Sequence, residues 1–544
     1  MNLLRNPESP GRAGLWLGWL LLALLTVVVL STRTLTPIDE TRYVAAAWEM
    51  WQRGDFLVPF KNGEPYSHKP PFFFWVFHAG WAVFGVNDWW PRLVVPLFSA
   101  ASLALAFGLA RRLWPQRPGV PGTAVLVLAT TLWWMLFSTT TMFDVLLAFW
   151  VLVGMTGTWI AAEGRRSGFA LLGLAIGMGV LTKGPVILLH LLPAAVLAPW
   201  WHPGLRWGRW AGGVALAVLL GAAIALAWAV PAGYSGGEAY RKAIFWGQTA
   251  NRMVDSFAHR RPFWWYLPML PLLLFPWFVW PGLWQALARL GRGGLDAGAR
   301  FCLAWMLPVF VAFCFVSGKQ LHYLIPLFPA FALLVARALD GQAAPRWAGL
   351  PVLLAALPGL ALVAVAAGLA HVRQDELAAL PWMWPAVGVV LVALLAAVAL
   401  WRGRAPVPVL GLLSAASLML VLTAVKPSIE PLYDIRPMAQ AIHGLQQKGI
   451  TVANLQGYHA QYQFAGRLQA PLVVLDQDTP QQIDWLRSHP QAYAVVYFSD
   501  ARALDDLKAL HRQRYRGGAI ALMQAPDVIP LLGPDGAAAH PLLK

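Results

Sequence analysis

Apolar runs recur along the first 425 residues, most of them roughly 16–25 positions long and divided by short polar breaks. Each is long enough, as a helix, to cross a hydrocarbon core of roughly 30 Å. The pattern predicts about thirteen spans, near 14–31, 92–111, 121–138, 143–162, 168–182, 185–201, 210–231, 263–287, 301–316, 324–338, 348–370, 383–401 and 407–425. Two longer segments, 32–91 and 232–262, interrupt the series. Tyr43 to Trp51 reads as a short amphipathic helix, and Phe72 to Phe84 is too aromatic to float in solvent, so both belong along a membrane surface. From about Lys426 the pattern changes. Short β-rich runs (Thr451–Leu455, Pro471–Leu475, Tyr493–Phe498, Ala519–Leu522) alternate with helical patterns over Arg436–Lys448 and Ala501–Arg512. That alternation predicts a small α/β domain over 426–544, following an all-α membrane domain over 1–425.

Composition agrees. Hydrophobic residues make up 58% of the chain and charged residues 12%, against about 25% charge in an ordinary soluble domain. Tryptophan pairs such as Trp89-Trp90, Trp133-Trp134, Trp200-Trp201 and Trp264-Trp265 crowd the ends of the runs, where amphipathic rings settle at the membrane–water interface. Cys302 and Cys314 fall in one predicted span, about 18 Å apart at helical rise, which excludes a disulfide between them. The first run, Gly14 to Leu30, is long, has no clear small-residue cleavage site after it and is followed by many spans, so it reads as a retained anchor.

The net charge of +16 suggests nucleic acid only until the arginines are placed. They sit between apolar runs: Arg5 and Arg12; Arg111, Arg112 and Arg117; Arg165 and Arg166; Arg206 and Arg209; Arg289, Arg292 and Arg300; Arg337 and Arg346; Arg402 and Arg404. The short loops on the other side are nearly free of basic residues, apart from Lys183, Lys319 and Arg373. This alternation orients a membrane protein with its N-terminus in the cytoplasm. An odd number of spans then puts the C-terminal domain outside, in the periplasm of a bacterial inner membrane, and no nucleic-acid partner is expected.

Four charged features interrupt this frame on its outer side. Thr36-Pro37-Ile38-Asp39-Glu40 follows the first run, and its bland reading is a helix start, where acids favour the dipole. Tyr66-Ser67-His68-Lys69-Pro70 sets a cation before the aromatic segment. Asp144 stands at the mouth of an apolar run, where desolvation costs several kcal/mol without a partner or a function; helix capping is its bland reading. Lys183 in Thr182-Lys183-Gly184-Pro185 stands between two runs, with snorkelling as the alternative. Further along come His259-Arg260-Arg261 and Ser317-Gly318-Lys319-Gln320-Leu321-His322-Tyr323. Surplus cations with a few carboxylates at one interface suit a lipid-phosphate-linked sugar. Lys and Arg neutralise the phosphate, and a carboxylate takes the proton of an attacking hydroxyl.

An Asp-Glu pair after the first span, a Gly54-Asp55 turn and a Lys69-Pro70 before an aromatic segment resemble the GT-C class of membrane glycosyltransferases. More narrowly they resemble the polyprenyl-phosphate-dependent bacterial enzymes related to protein O-mannosyltransferases, including those that put aminoarabinose on lipid A. The likeness in layout covers nearly the whole chain. It implies Asp39 as the catalytic loop acid, with Glu40 beside it and Asp144 as a second functional acid. It implies Lys69, Lys183, Arg260 and Lys319 as ligands of the carrier phosphate, with Tyr323 and Tyr66 nearby. One position departs: the aminoarabinose enzymes have a Glu before the Lys-Pro, where this chain has His68. The metal contact associated with that Glu would fall to His68 and His259, two ligands where zinc sites use more. No cofactor is required, since clustered cations suffice, and a divalent metal stays open.

The expected activity is therefore transfer of a sugar from a polyprenyl phosphate to a lipid or glycan acceptor, with inversion. Transfer to protein hydroxyls is the rival within the class. A carrier flippase is the rival outside it, but transporters place their charges near the bilayer midplane.

Overall fold

The computed structural model describes residues 9–247, 260–341, 348–366, 383–403, 405–476, 478–504, 507–533 and 539–544. His259 and the rest of 248–259 lie outside the described residues, as does the end of the predicted span 348–370. The described chain divides into two compact units. One comprises Met1–Ser31, Ser67–Val76 and Val86–Ala424, the other Thr32–Tyr66, Phe77–Gly85 and Val425–Lys544.

The first unit is helical. Its early helices are α1 (Ser9–Thr32), and, after α2 (Asp39–Arg53) and α3 (Phe72–Phe84), α4 (Trp89–Leu113), α5 (Val120–Ala129), α6 (Leu132–Phe137), α7 (Phe143–Ala162), α8 (Ser167–Lys183) and α9 (Val186–Val196). Among the described residues, seven helices are long and apolar enough to cross a membrane: Gly11–Thr32, Trp89–Leu113, Phe143–Ala162, Trp207–Ser235, Ala297–Phe315, Leu321–Leu339 and Pro406–Pro427. Shorter apolar helices occupy most of the other predicted runs, including Ser167–Lys183, Val186–Val196 and Pro385–Trp401. The helix Trp207–Ser235 leaves Leu216 and Leu219 about two-thirds exposed, at 65% and 66%. Such a face is tolerable only against lipid, and the chain is a multi-pass membrane protein.

Three predicted spans are interrupted: 185–201 breaks at Leu197, and 263–287 and 121–138 break more deeply. Over 263–287 the chain forms a 3-10 turn at Leu267–Met269, a single helical turn at Leu270–Leu273 and then the helix Pro281–Arg292. Pro268, Pro271, Pro276 and Pro281 fall inside that run, and each lacks the N–H that a continuing helix needs. The run 121–138 breaks at Thr130-Thr131 into α5 and α6, with Leu132 N–H donating to Phe275 O instead (2.9 Å).

The pair α7 and α8 carries Asp144 and Lys183. It folds back through Glu163–Arg166 so that the start of one helix lies beside the end of the other. Gly168 makes the close approach possible, because a Cβ there would lie 2.2 Å from Ala161 N. The helix α8 then stops at Gly184, whose φ of 81° is one that only glycine adopts without strain.

The second unit is built on a five-stranded sheet of order β4-β3-β5-β7-β6. Its strands are β3 (Val452–Leu455), β4 (Val473–Leu475), β5 (Tyr493–Phe498), β6 (His511–Tyr515) and β7 (Gly518–Gln524), the two-residue strands β1 (Phe60–Lys61) and β2 (Glu64–Pro65) forming a separate hairpin. β3 pairs in parallel with β4 and β5, and β5–β7–β6 continue antiparallel. Ala453, Leu455, Val496, Phe498, Ala521 and Met523 anchor the sheet's core. The predicted helix over Ala501–Arg512 is a short 3-10 turn (Ala501–Leu504) followed by the edge strand β6, whose His-Arg-Gln-Arg-Tyr sequence hides its strand character behind charge.

The segment 32–66 belongs to this same unit. The amphipathic helix α2 has Trp48 Nε1 donating to Leu468 O (3.2 Å), while Trp81 of α3 stacks on Phe464 at 5.4 Å. Asn62, at the hairpin tip with φ 54°, accepts from Leu472 N–H and Gln463 Nε2 (both 2.8 Å) and donates to Leu472 O (2.9 Å). Asn62→Ala removes all three bonds and leaves alanine in a left-handed conformation. We expect a loss of about 2–4 kcal/mol, with amide exchange rising at residues 60–65 and 470–473. Unchanged exchange in both segments would refute the tie.

Candidate functional site

Asp144 lies in the first turn of α7 and is 1% exposed. Lys183 ends α8, and its Nζ meets Asp144 Oδ1 at 2.5 Å. Opposite charge satisfies a carboxylate that would otherwise be stranded at an apolar helix end. The ion pair settles the capping reading of Asp144, which is no N-cap: Met142 occupies that position without a side-chain cap. Further cations gather around it, for the charges of His322 and Lys69 also act on Asp144. Lys183 Nζ stands 4.9 Å from the centre of the Tyr323 ring and Lys69 Nζ 5.3 Å from that of Phe143. His322 stacks on Phe137 at 5.6 Å and meets Tyr323 edge-on at 4.8 Å. A carboxylate thus sits among three cationic or protonatable side chains, walled by aromatic rings.

Two histidines of this cluster were not singled out from sequence. His322 stands one residue before Tyr323, inside a motif read for its lysine. His190 is the lone polar residue of α9, fully buried, with its ring 5.5 Å from Phe313. Its signal was a histidine within Val-Ile-Leu-Leu-His-Leu-Leu.

Lys319 is placed otherwise. Its Nζ donates to Arg261 O (3.1 Å) and to Val316 O, and the side chain is buried. Arg261 N–H donates to Ser317 O (3.2 Å) and Arg260 bridges to Gly318, so these residues tie one loop to another. Arg260 itself is exposed. Tyr266, not foreseen, adds a hydroxyl donated to Gln320 O at 3.0 Å. His68 is exposed, and no group of three or more His, Cys, Asp or Glu side chains fit to hold a metal occurs among the described residues.

In the second unit the two neighbouring acids separate. Glu40 is 3% exposed and takes Arg33 Nη1 and Nη2 at 2.5 and 3.2 Å and the Thr36 N–H at 2.7 Å. It holds the loop 33–40 in place. Asp39 has a side chain 47% exposed, paired with Arg42 and accepting from Tyr43 Oη at 3.3 Å. Neither acid caps α2, since Ile38 is the N-cap. Burial opposes the charge of Arg42, but Tyr66, Tyr43 and Asp39 outweigh it and hold the guanidinium above its ordinary value. Burial, then the charge of Arg42, pulls Lys61 below the usual lysine range. Tyr66 is buried, with Lys61 Nζ 6.0 Å from its ring centre.

Comparison with known proteins follows the same lines. The dolichyl-phosphate-mannose-protein mannosyltransferase family matches residues 68–234. The undecaprenyl phosphate-alpha-4-amino-4-deoxy-L-arabinose arabinosyl transferase of Edwardsiella ictaluri is 34% identical over 364 residues, 64% of each chain. Its namesake in Pseudomonas aeruginosa is 35% identical over 363 residues, 63% of each. The match thus spans somewhat under two-thirds of these relatives' length. ArnT from Cupriavidus metallidurans, solved with undecaprenyl phosphate bound, superposes with a TM-score of 0.72 at 22% identity, covering 92% of this chain and 96% of that one. The archaeal oligosaccharyltransferase AglB from Archaeoglobus fulgidus gives 0.53 at 11% identity, covering 89% and 69%. In fold and in sequence the chain resembles the polyprenyl-phosphate-dependent GT-C glycosyltransferases, the lipid A aminoarabinose transferases among them.

Proposed function

We propose that the chain is a membrane glycosyltransferase that moves one sugar from a polyprenyl phosphate to a lipid or glycan acceptor at the outer face of a bacterial inner membrane. It does so with about thirteen membrane passages, a cytoplasmic N-terminus and a periplasmic C-terminal domain. The observation that carries this reading is the Asp144–Lys183 pair with Lys69, His322 and Tyr323 about it. A purely structural pair would need one cation. The excess suits a phosphate monoester, whose charge is met by several ammonium groups in a partly desolvated setting.

The acceptor hydroxyl attacks the anomeric carbon as the bond from that carbon to the phosphate oxygen breaks. Polyprenyl phosphate departs on the opposite side and the anomeric centre inverts. Asp39 takes the hydroxyl proton. It is exposed where Glu40 is spent on Arg33, and Arg42 and Tyr43 fix its orientation. Lys69 and Lys183 receive the charge of the leaving phosphate, with Arg260, Tyr323 and Tyr66 as further contacts. Lys319 serves chiefly as the tie between its loop and Arg261. The match to protein mannosyltransferases over 68–234 favours protein hydroxyls as a second acceptor class.

In reconstituted vesicles, Asp39→Asn is expected to keep the fold and lose roughly 10²–10⁴-fold in transfer rate. Wild-type turnover would remove Asp39 from the reaction. Defined lipid and protein acceptors, assayed together, separate the two classes. Release of free polyprenyl phosphate in step with acceptor labelling distinguishes a transferase from a flippase, which would move the carrier intact.

The ion pair makes a second prediction. Asp144→Asn strands the Lys183 ammonium and costs about 3–5 kcal/mol in thermal or denaturant unfolding. Adding Lys183→Met recovers most of that stability while transfer stays lost. A double variant no more stable than the single one would refute the coupling, and an active double variant would refute the phosphate role.

A further inference from the structure

The outer α/β domain contains a crevice of about 360 Å³ that the transfer chemistry does not use. It opens where the parallel strands end: Leu455 ends β3 and Gln456 and Gly457 follow it, Asp476 and Thr479 follow β4, and Val496 and Tyr497 belong to β5. From β3 the chain crosses to β4 on one side, then passes back over β3 to reach β5 on the other. The direction of winding reverses at this point. In open α/β sheets the carboxyl ends of the strands at such a reversal form the natural ligand crevice, because the two crossing connections diverge and leave a gap.

The lining decides what fits. Asp476 directly follows the second strand of the sheet, the place from which an acid in doubly wound folds grips a sugar's neighbouring hydroxyls. Gln456, Thr479 and Gln482 add amide and hydroxyl groups, and Lys544 adds one cation. Gln482 Nε2 is tied to Leu475 O at 3.1 Å, and the Tyr497 hydroxyl donates to Asn454 Oδ1 at 2.8 Å, so both walls are fixed before a ligand arrives. Leu455 and Leu532 provide an apolar floor. A phosphate is poorly served. The β3 turn reads Gln-Gly-Tyr-His-Ala, with Gln456 and Ala460 in left-handed conformations, and it leads into a helix of only five residues. Asp476 would repel an anion.

We infer that this crevice binds a sugar ring, a neutral polyol held by Asp476 and the surrounding amides over an apolar floor, as a second carbohydrate site in the outer domain. The inference does not rest on the transfer reaction, and Asp39→Asn should leave it intact.

The test uses the full-length protein in lipid nanodiscs and saturation-transfer NMR with methyl α-D-glucopyranoside, methyl α-D-mannopyranoside, methyl N-acetyl-β-D-glucosaminide and methyl β-L-arabinopyranoside. Ring protons of at least one glycoside should receive saturation, and Asp476→Ala should weaken its binding about tenfold. Gly457 offers an independent variant, since an added side chain there meets open space. Gly457→Phe fills the crevice without altering Asp476 and should abolish the signal. Displacement of the bound glycoside by a glycolipid added to the nanodisc would identify the acceptor's own sugar as the source of the ring, and persistence would identify a free glycan. Absence of signal from all four glycosides, or signals undiminished in both variants, would overturn the site.

Discussion

The membrane unit is organised by one electrostatic constraint: a carboxylate at the start of an apolar helix must find a cation within the protein. Asp144 finds Lys183 at 2.5 Å. This fixes the register of α7 against α8, because sliding either helix by one turn would move its charge about 5.4 Å along the axis. Gly168 permits the close packing this register requires, and Gly184 ends α8 so that the lysine is its last residue. The same two features that satisfy the charges also deliver them to the helix ends, where a polar headgroup would be met.

The adjacent acids of α2 show the same rule working in the opposite direction. Asp39 and Glu40 are neighbours in sequence but about 100° apart around the helix, since 3.6 residues complete a turn. Glu40 turns inward and is saturated by Arg33 and the Thr36 amide. Asp39 stays accessible. An acid whose oxygens are committed to holding a loop is a poor base, whereas one held from the side by Arg42 and Tyr43 can still accept a proton.

Much of this was legible in the chain. Hydropathy located most of the membrane helices, the amphipathic pattern of Tyr43–Trp51 marked α2, and the aromatic run Phe72–Phe84 marked α3. Hydropathy alone did not weigh the four prolines of 263–287, which break a run that reads as continuous in composition. Nor did it reveal β6, because an edge strand protected by Arg512 and Arg514 looks like a solvated helix face. In the site, Asp144 and Lys183 announced themselves as charges in apolar company, but nothing in a linear sequence says that residues 39 positions apart are each other's partners. His190 and His322 passed unnoticed because a single histidine carries no spacing signal. Lys319 was a sound cation to suspect, and its role changed only when its ammonium was seen to donate to two backbone carbonyls.

Four carboxyl groups therefore divide by surroundings rather than by residue type. Glu40 is buried and bidentate with an arginine, which makes it a fastener. Asp144 is buried against a lysine, which makes it a counter-ion. Asp39 is half exposed and laterally oriented, the state suited to proton transfer. Asp476 borders a crevice lined mostly by amide, hydroxyl and apolar groups at the end of a parallel strand, where its oxygens can accept hydroxyl hydrogens. Exchanging any two of these environments would exchange the roles, because burial and partner charge decide whether a carboxylate is fixed, shared, basic or merely a hydrogen-bond acceptor. The surroundings of these acids accordingly follow from where each backbone element begins or ends: at the first turn of α2, at the start of α7, and at the carboxyl end of β4.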